Sequence, residues 1–214
     1  MVPAPATPYH RPVRVAEVAA VGGAYALGTF PSALVVGRRT GFDPTAAGSG
    51  NPGATNALRL GGRRAGAAVL LLDVAKGAAA AGVGLLVGGR PVGLAAAIAA
   101  VLGHVVPVTR PTRGGKGVAT ASGAALVLEP VVSIGVAAVF AAVAKFGGRA
   151  SLASVAAAIA MPVAVGATGR PAGEVAVWCA IGALVVARHA GNLARLARGE
   201  EPATAPLGER SDDR

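Results

Sequence analysis

A stretch of small polar residues and glycines, from Gly48 to Arg59, is the first candidate for chemistry. It reads GSGNPGATNALR. Glycines let backbone N–H groups approach an anion, amides and hydroxyls supply directed hydrogen bonds, and arginine offers a planar fork suited to phosphate. The pattern therefore predicts a phosphate-binding loop rather than an ordinary solvent loop. Its candidate residues are Ser49, Gly50, Asn51, Gly53, Ala54, Thr55, Asn56 and Arg59.

A second glycine-rich segment, RGGKGVAT, begins at Arg113 and surrounds Lys116 immediately before an apolar run. Glycines beside a lysine at the start of a helix are typical of a phosphate site, because helix N-termini attract anions. We predict that Gly114, Gly115 and Gly117 contribute backbone to such a site. The alternative is a basic anchor at a membrane surface.

Two nucleotide-binding patterns come close to these segments, and neither fits. The first segment matches G-x-G-x-x-G, but that motif must follow a strand and open a helix, whereas long apolar runs flank it here. The second would match a Walker A loop only with Gly in place of Arg110 and Ser or Thr in place of Gly117. A nucleotide is therefore not the predicted ligand.

Further polar residues fall at the ends of apolar runs. His189 and Asn192 follow the last run, and His189 suits a base, a hydrogen-bond donor or a simple interfacial residue. Ser151 either belongs to the same site or caps the helix that it begins. These residues, with Lys116, complete the candidate site.

Asp73, Lys76 and His104 are ionisable residues inside apolar runs. Asp73 and Lys76 are three positions apart, close enough on one helix face to form an ion pair. Ionisable residues at membrane depth are functional candidates, but a structural ion pair is equally consistent with the pattern. His104 precedes Pro107, and we expect it to pack or to form a hydrogen bond.

The composition requires that a membrane surround these segments. Hydrophobic residues make up 53% of the 214 positions and charged residues only 14%, against about 25% charged in a soluble domain. A span needs roughly 20 mostly apolar residues. The candidate spans are residues 14–36, 65–89, 92–109, 117–129, 131–147, 152–169 and 173–188. We predict an all-α, polytopic bundle of about seven transmembrane helices; six helices, one of them long and bent at Glu129-Pro130, is the alternative.

The distribution of basic residues predicts the orientation. With seven spans, 15 of the 20 Lys and Arg residues fall on the side that carries residues 37–64, 110–116 and 145–150 and the C-terminus. Cytoplasmic loops carry the excess of such residues. The N-terminus is therefore predicted outside and the C-terminus, with the candidate site, in the cytoplasm. The net charge of +10 lies between apolar runs, which argues against a nucleic-acid partner.

The domain organisation is simple. Residues 1–12 are predicted to be a disordered lead, residues 13–200 a single transmembrane domain, and residues 201–214 a polar C-terminal tail.

The three polar segments together identify a family. Gly48 to Asn56, Gly114 to Thr120 and His189-x-x-Asn192 resemble, in order and spacing, the signatures of the bacterial acyl-phosphate:glycerol-3-phosphate acyltransferases. The resemblance runs from about Val18 to Glu201. One departure is Ala190, where the family's third motif usually has Arg or Lys.

The resemblance implies a seven-helix enzyme of the bacterial inner membrane with its active site on the cytoplasmic face. The implied reaction moves an acyl group from acyl phosphate to the 1-hydroxyl of glycerol 3-phosphate, giving lysophosphatidic acid, the first intermediate of phospholipid synthesis. It implies no metal ion, cofactor or acyl carrier. The oligomeric state and the acyl-chain preference stay open.

On this interpretation the site residues divide by role. Lys116 and Arg59 would hold phosphate groups, and His189 and Asn192 would position glycerol 3-phosphate, with His189 or a substrate phosphate as the proton acceptor. The residues expected to orient the substrates and stabilise the oxyanion are Ser49, Asn51, Thr55 and Asn56. The alternative function is a membrane transporter or channel for a phosphate-bearing anion, although transporters usually bind near the membrane midplane.

Overall fold

The chain folds into helices joined by turns throughout the residues that the computed structural model describes, 12–111 and 113–203. This confirms the all-α prediction. The helices are α1 Val15–Gly28, α2 Ser32–Thr40, α3 Ala54–Val105, α4 Val118–Leu128, α5 Pro130–Gly147, α6 Ala150–Ala167, α7 Ala172–Arg188 and α8 Ala190–Ala197. The predicted lead, apart from residue 12, and the tail after residue 203 lie outside the described residues.

Four helical stretches within the described residues are long and apolar enough to cross a membrane: Val15–Thr40, Ala54–Val105, Pro130–Gly147 and Ala150–Ala167. The pair α7 and α8, bent by 53° at their junction, forms a fifth candidate. Helix α4 is apolar but has only 11 residues, about 16 Å against a hydrocarbon core of about 30 Å. Seven crossings and the orientation of the termini stay predictions.

Helix α3 joins two of the predicted spans, 65–89 and 92–109, into one continuous element of 52 residues. Its backbone leaves helical geometry at Gly62 and at Gly88 and Gly89. Gly62 and Gly89 have φ of 74° and 69°, which side chains other than glycine rarely adopt. The breaks divide α3 into the segments 54–61, 63–87 and 90–105, so two antiparallel runs remain, as the spans predicted.

The α4–α5 boundary lies where the sequence placed its punctuation. Glu129 has non-helical dihedral angles, and Pro130 starts α5 at a position that needs no backbone donor. The predicted break at Glu129-Pro130 is therefore real. Two helical features were not predicted: the second half of the first polar segment forms the first turns of α3, and α8 follows the last predicted span.

The helices approach one another through small residues, as expected where packing replaces the hydrophobic effect. A Cβ on Gly77 of α3 would lie 1.9 Å from the carbonyl oxygen of Thr120 of α4, and one on Gly123 would lie 2.0 Å from that of Val74. The pair α1 and α3 meets in the same way, with Gly28 against Ala100. Backbone touches backbone at these points, so no larger residue fits.

A charged cluster joins three helix ends at the opposite end of the bundle from the candidate site. Arg90, beside the break in α3, forms hydrogen bonds to the Leu128 carbonyl and to the carboxylates of Glu129 and Glu174. Arg170 pairs with Glu129 at 3.3 Å. The cluster therefore ties the start of α7 to the breaks between α4 and α5 and within α3.

The glycine contacts lead to a stability prediction. Gly77→Ala should lower the free energy of unfolding by about 1–3 kcal/mol, the usual cost of overpacking, because its Cβ meets Thr120 backbone. Gly82→Ala, in the same helix with no atom within 4 Å of the added Cβ, is the control and should be neutral or slightly stabilising. Thermal unfolding in detergent measures both variants. Equal midpoints for the two would contradict the packing account.

Candidate active site

The first polar segment is a loop whose shape depends on one buried amide. Asn56 is almost fully buried. Its Nδ2 donates to the carbonyl oxygens of Pro44 and Ala47, at 2.9 and 3.1 Å, and its Oδ1 accepts the Ser49 N–H at 2.9 Å. Both donors and the acceptor are thus engaged with the loop. Asn56 holds the loop in shape, while its predicted part in orienting substrate stays a prediction.

Several other residues of this segment face a cavity. Ser49, Asn51 and Thr55 line it, and Gly53 precedes the first turn of α3. The unpaired N–H groups of a helix start and the attached dipole favour an anion there. Arg59, one turn further along α3, lines the same cavity and donates to the Ala203 carbonyl at 3.4 Å. The sequence interpretation included backbone N–H donors from this segment, but it did not include the helix start and its dipole.

The second segment packs its glycines against the end of α3. A Cβ on Gly114 would lie 1.8 Å from the Val105 carbonyl oxygen, and one on Gly115 would lie 2.1 Å from Nε2 of His104. Arg188 then donates to the carbonyl oxygens of Gly114 and Gly115, at 2.9 and 3.2 Å. The absence of side chains at these two glycines thus lets the loop pack closely against Val105 and His104. Their predicted contact with substrate stays a prediction.

Lys116 follows this flat turn and points its ammonium into the cavity. Gly117, with φ of 85°, allows the chain to turn directly into α4. Lys116 Nζ donates to Oδ1 of Asn192. The second and third polar segments, 76 residues apart in sequence, therefore meet through this hydrogen bond.

His189 lies at the bend between α7 and α8 and is buried. Its Nδ1 lies 2.8 Å from the carbonyl oxygen of Val185, which can only accept, so Nδ1 carries the proton. The neutral ring then has a lone pair on Nε2. Because His189 lines the cavity, this arrangement suits a proton acceptor.

Glu201 is a site residue that the sequence interpretation missed, since the boundary at residue 200 assigned it to a polar tail. It is 6% exposed. Its carboxylate accepts from Asn192 Nδ2 at 2.6 Å, from Arg195 Nε at 2.9 Å and from the Ser151 hydroxyl. Ser151 is the second residue of α6, whose N-cap residue is Arg149. One carboxylate thus holds α6, α8 and the lysine-bound Asn192 together.

The sequence pattern gave little indication that Arg195 and Glu201 belong to the site. Arg195 stands three positions after Asn192, on the same face of a helix that the sequence interpretation did not include. Glu201 follows Gly199, whose φ of 73° reverses the chain, so no helical periodicity links it to α8.

These segments converge on one cavity of about 890 Å³. All the predicted site residues line it except Gly50, Gly114 and Gly115. Its polar end lies among the starts of α3, α4 and α6 and the α7–α8 bend. From there an apolar groove runs between α4, α5, α6 and α7, lined by Leu126, Phe140, Met161, Trp178 and Ile181. From Ser151 to Met161 along α6 the lining covers about 15 Å.

The charge balance of the polar end favours an anion. Arg59, Lys116, Arg195 and Glu201 line it, and Glu201 is paired with Arg195. Burial lowers the pKa of Lys116 to about 8, and the positive charges of Arg195, Arg188 and Arg59 act in the same direction, while Glu201 opposes them. Burial alone would raise the pKa of Glu201, but hydrogen bonds from Asn192 and Ser151 and the charge of Arg195 hold it below its usual value. Lys116 and its neighbours are therefore short of negative partners.

Across the ranges 12–111 and 113–203, no three His, Cys, Asp or Glu side chains are grouped so that they could hold a metal ion.

The fold and the cavity define a class: an integral membrane protein with a cavity whose polar, cationic end opens into an apolar groove. Comparisons with known proteins agree with this class and narrow it. The model of the glycerol-3-phosphate acyltransferase family matches residues 18–199. The chain belongs to the glycerol-3-phosphate acyltransferase family, and it is an acyltransferase of the membrane.

Individual relatives support this membership. The glycerol-3-phosphate acyltransferase of Sinorhizobium medicae is 44% identical over 179 residues, 83% of this chain and 87% of that protein. That of Rubrobacter xylanophilus is 40% identical over 186 residues, 86% of this chain and 94% of that protein. The crystal structure of PlsY, an integral membrane glycerol 3-phosphate acyltransferase, in its glycerol 3-phosphate form, matches with a TM-score of 0.85 and 34% identity, covering 89% of this chain and 96% of that one.

The low pKa of Lys116 predicts a pH dependence of phosphate binding. Below about pH 8 the ammonium is charged, and above it the proton is lost, while a phosphate monoester stays doubly ionised because its second pKa is near 6. The KM for glycerol 3-phosphate should therefore rise several-fold between about pH 7 and about pH 9. Lys116→Arg should remove most of that rise, because arginine stays charged throughout this range. An equal rise in KM in the unsubstituted protein and in Lys116→Arg would contradict a phosphate-binding role for Lys116.

Proposed function

We propose that this chain transfers an acyl group from acyl phosphate to the 1-hydroxyl of glycerol 3-phosphate, giving lysophosphatidic acid and inorganic phosphate. This is the first step of phospholipid synthesis. The observation that carries the proposal is the single cavity with a cationic polar end and a long apolar groove. We place it in the bacterial inner membrane with the polar end on the cytoplasmic side, as the distribution of basic residues predicts.

The acceptor and the product have support from a relative. The solved PlsY structures are described as a glycerol 3-phosphate form and a lysophosphatidic acid form, and the second matches this chain with a TM-score of 0.82. Both molecules carry a phosphate monoester, and the product adds one acyl chain. The polar end and the groove of this chain match those two parts.

The choice of donor rests on the number of anion-binding elements. Two of them face the same polar end: the start of α3 with Arg59, and the start of α4 with Lys116. Acyl phosphate and glycerol 3-phosphate each bring one phosphate group, so the two substrates can occupy one element each. Charge-assisted hydrogen bonds from Arg59 and Lys116 would hold these groups.

The reaction itself needs a proton acceptor and a site for developing charge. The 1-hydroxyl oxygen attacks the carbonyl carbon of acyl phosphate, and its proton goes to Nε2 of His189 or to a phosphate oxygen. The tetrahedral oxyanion then collapses, the C–O bond to phosphate breaks, and inorganic phosphate leaves. Ser49, Asn51 and Thr55, with the N–H groups at the start of α3, are the donors available to stabilise that oxyanion.

Positioning accounts for much of the rate on this proposal. Acyl phosphate is already an activated donor, and fixing both substrates in one cavity removes most of the entropic barrier. Asn192 would act by holding Lys116, to which it is directly hydrogen-bonded. The transport alternative has no support from the family, whose members are acyltransferases.

A direct assay tests the proposal. The protein purified in detergent receives palmitoyl phosphate and radiolabelled glycerol 3-phosphate, and label is followed into lysophosphatidic acid, with palmitoyl-CoA as a parallel donor. We expect product from acyl phosphate alone. Lys116→Ala should abolish most turnover, whereas Lys145→Ala, which removes an exposed lysine at the end of α5, should not.

The other outcomes separate the parts of the proposal. Product from the thioester alone would leave the acyltransferase class intact and make the donor wrong. No product from either donor, with folded protein, would refute acyl transfer and favour phosphate binding or transport.

The groove predicts a selectivity change. Ala157 of α6 lines the groove about 9 Å beyond Ser151, from six helical steps. Ala157→Phe should block the deeper half and lower kcat/KM for palmitoyl phosphate at least tenfold more than for a donor with a short acyl chain. Ile159→Phe, on the exposed side of the same helix, is the control. An equal fall in kcat/KM with both donors would show that the acyl chain does not bind in the groove beside Ala157.

A further inference from the structure

A buried cluster next to the main cavity has no role in the reaction as described so far. Asp73 and Lys76 lie on the middle segment of α3, and His104 lies near the end of its last segment. The side chains of Asp73 and Lys76 are 3% exposed and that of His104 is 9% exposed. Asp73 and His104 both line the cavity. Burial of three ionisable groups is energetically costly, so the cluster is a candidate for a function.

The hydrogen bonds of the lysine determine the state of the histidine. Lys76 Nζ lies 2.8 Å from Oδ1 of Asp73, 3.2 Å from the Phe30 carbonyl oxygen and 2.7 Å from Nδ1 of His104. An ammonium group carries three hydrogens and no lone pair, so the Phe30 carbonyl and His104 Nδ1 must accept from it, while Asp73 forms an ion pair with it. Nδ1 of His104 is therefore unprotonated, and the neutral ring carries its proton on Nε2.

That Nε2–H faces the second polar segment. A Cβ on Gly115 would lie only 2.1 Å from Nε2, so glycine is what leaves this nitrogen uncovered beside the loop that leads into Lys116. No partner for the Nε2–H exists among residues 12–111 and 113–203. A small cavity that His104 also lines has Arg110, Arg113 and, from the first polar segment, Pro52 in its wall. A free donor thus stands between the two polar loops in positive surroundings.

We propose that His104 is a substrate-contacting residue, whose Nε2–H donates a hydrogen bond to a phosphate oxygen bound between the two loops. Lys76 and Asp73 are positioning residues. The Lys76 ammonium donates to Nδ1 of His104 and so fixes the tautomer, and the Asp73 carboxylate neutralises the charge of Lys76. The ligand class is a phosphate monoester or acyl phosphate. The inference rests on the proposed function and deepens it, because it adds a donor that recognises one of the two substrates.

Two substitutions at position 104 separate the role of Nε2 from that of Nδ1. The amide of His104→Gln reaches the position of Nε2 and can donate into the cavity. The shorter amide of His104→Asn reaches only the position of Nδ1, where its oxygen can accept from Lys76. The two variants therefore keep opposite halves of the histidine. If His104 served only the buried cluster, His104→Asn would be the more active variant. If His104 contacts the substrate, His104→Gln should be the more active variant.

The measurement is kcat and KM for both substrates, together with thermal unfolding and the affinity for inorganic phosphate. We expect His104→Gln to stay within a few-fold of the unsubstituted protein. For His104→Asn we expect kcat/KM to fall about 10- to 100-fold, which corresponds to the loss of one hydrogen bond to a charged group. A rise in KM for glycerol 3-phosphate alone would assign the contact to the acceptor, and a rise for acyl phosphate alone would assign it to the donor.

A third variant tests the same contact from the side of the glycine-rich loop, with His104 itself unsubstituted. Gly115→Ala puts a methyl group on Nε2, and it should weaken phosphate binding as His104→Asn does. Gly191→Ala, whose Cβ would meet nothing closer than 3.7 Å, is the control. If Gly115→Ala folds and keeps full phosphate affinity, or if His104→Asn is as active as His104→Gln, the proposal is wrong. Absence of product from the unsubstituted protein would refute acyl transfer, while the phosphate affinities would still decide the role of His104.

Discussion

The contact between α3 and α4, in which Gly77 and Gly123 bring backbone against backbone, is the constraint on which the site depends. Helix α4 begins directly after the Lys116 loop, so its distance from α3 decides how far that loop stands from the end of α3. With the two helices in contact, Gly114 and Gly115 lie flat on Val105 and His104, and Arg188 of α7 can clamp them. Larger residues at the contact would separate the loop from the residues that it must meet.

Electrostatic balance is the second constraint. Several cations face a cavity that contains little negative charge, and partly buried charges are screened less than exposed ones. Glu201 offsets part of this repulsion and ties Arg195, Asn192 and Ser151 together. The remaining positive charge is left for a ligand. Burial lowers the pKa of Lys116 to about 8, and the neighbouring arginines act in the same direction. The binding of a phosphate group would complete the charge balance.

The two ends of the bundle serve different purposes. At the polar end, charged groups point into a cavity and stay incompletely paired. At the other end, Arg90 and Arg170 pair fully with Glu129 and Glu174 and hold helix ends together. The apolar groove runs from the first end toward the second between α4, α5, α6 and α7. A molecule with an anionic head and an apolar chain matches this gradient of polarity.

Much of this architecture was determined by the sequence alone. Apolar runs of span length, the Glu129-Pro130 break and the i, i+3 spacing of Asp73 and Lys76 predict local structure, because helix geometry and lipid depend only on neighbouring residues. The polar segments at Gly48, Arg113 and His189 predict the ligand class, since residue types carry that information. The tertiary structure alone decided that Asn56 organises its loop, that Glu201 enters the site, and that Lys76 sets the proton on His104. Those contacts join residues that are distant in sequence or lie across a chain reversal, and only the packing of glycine-lined helices brings them within hydrogen-bonding distance.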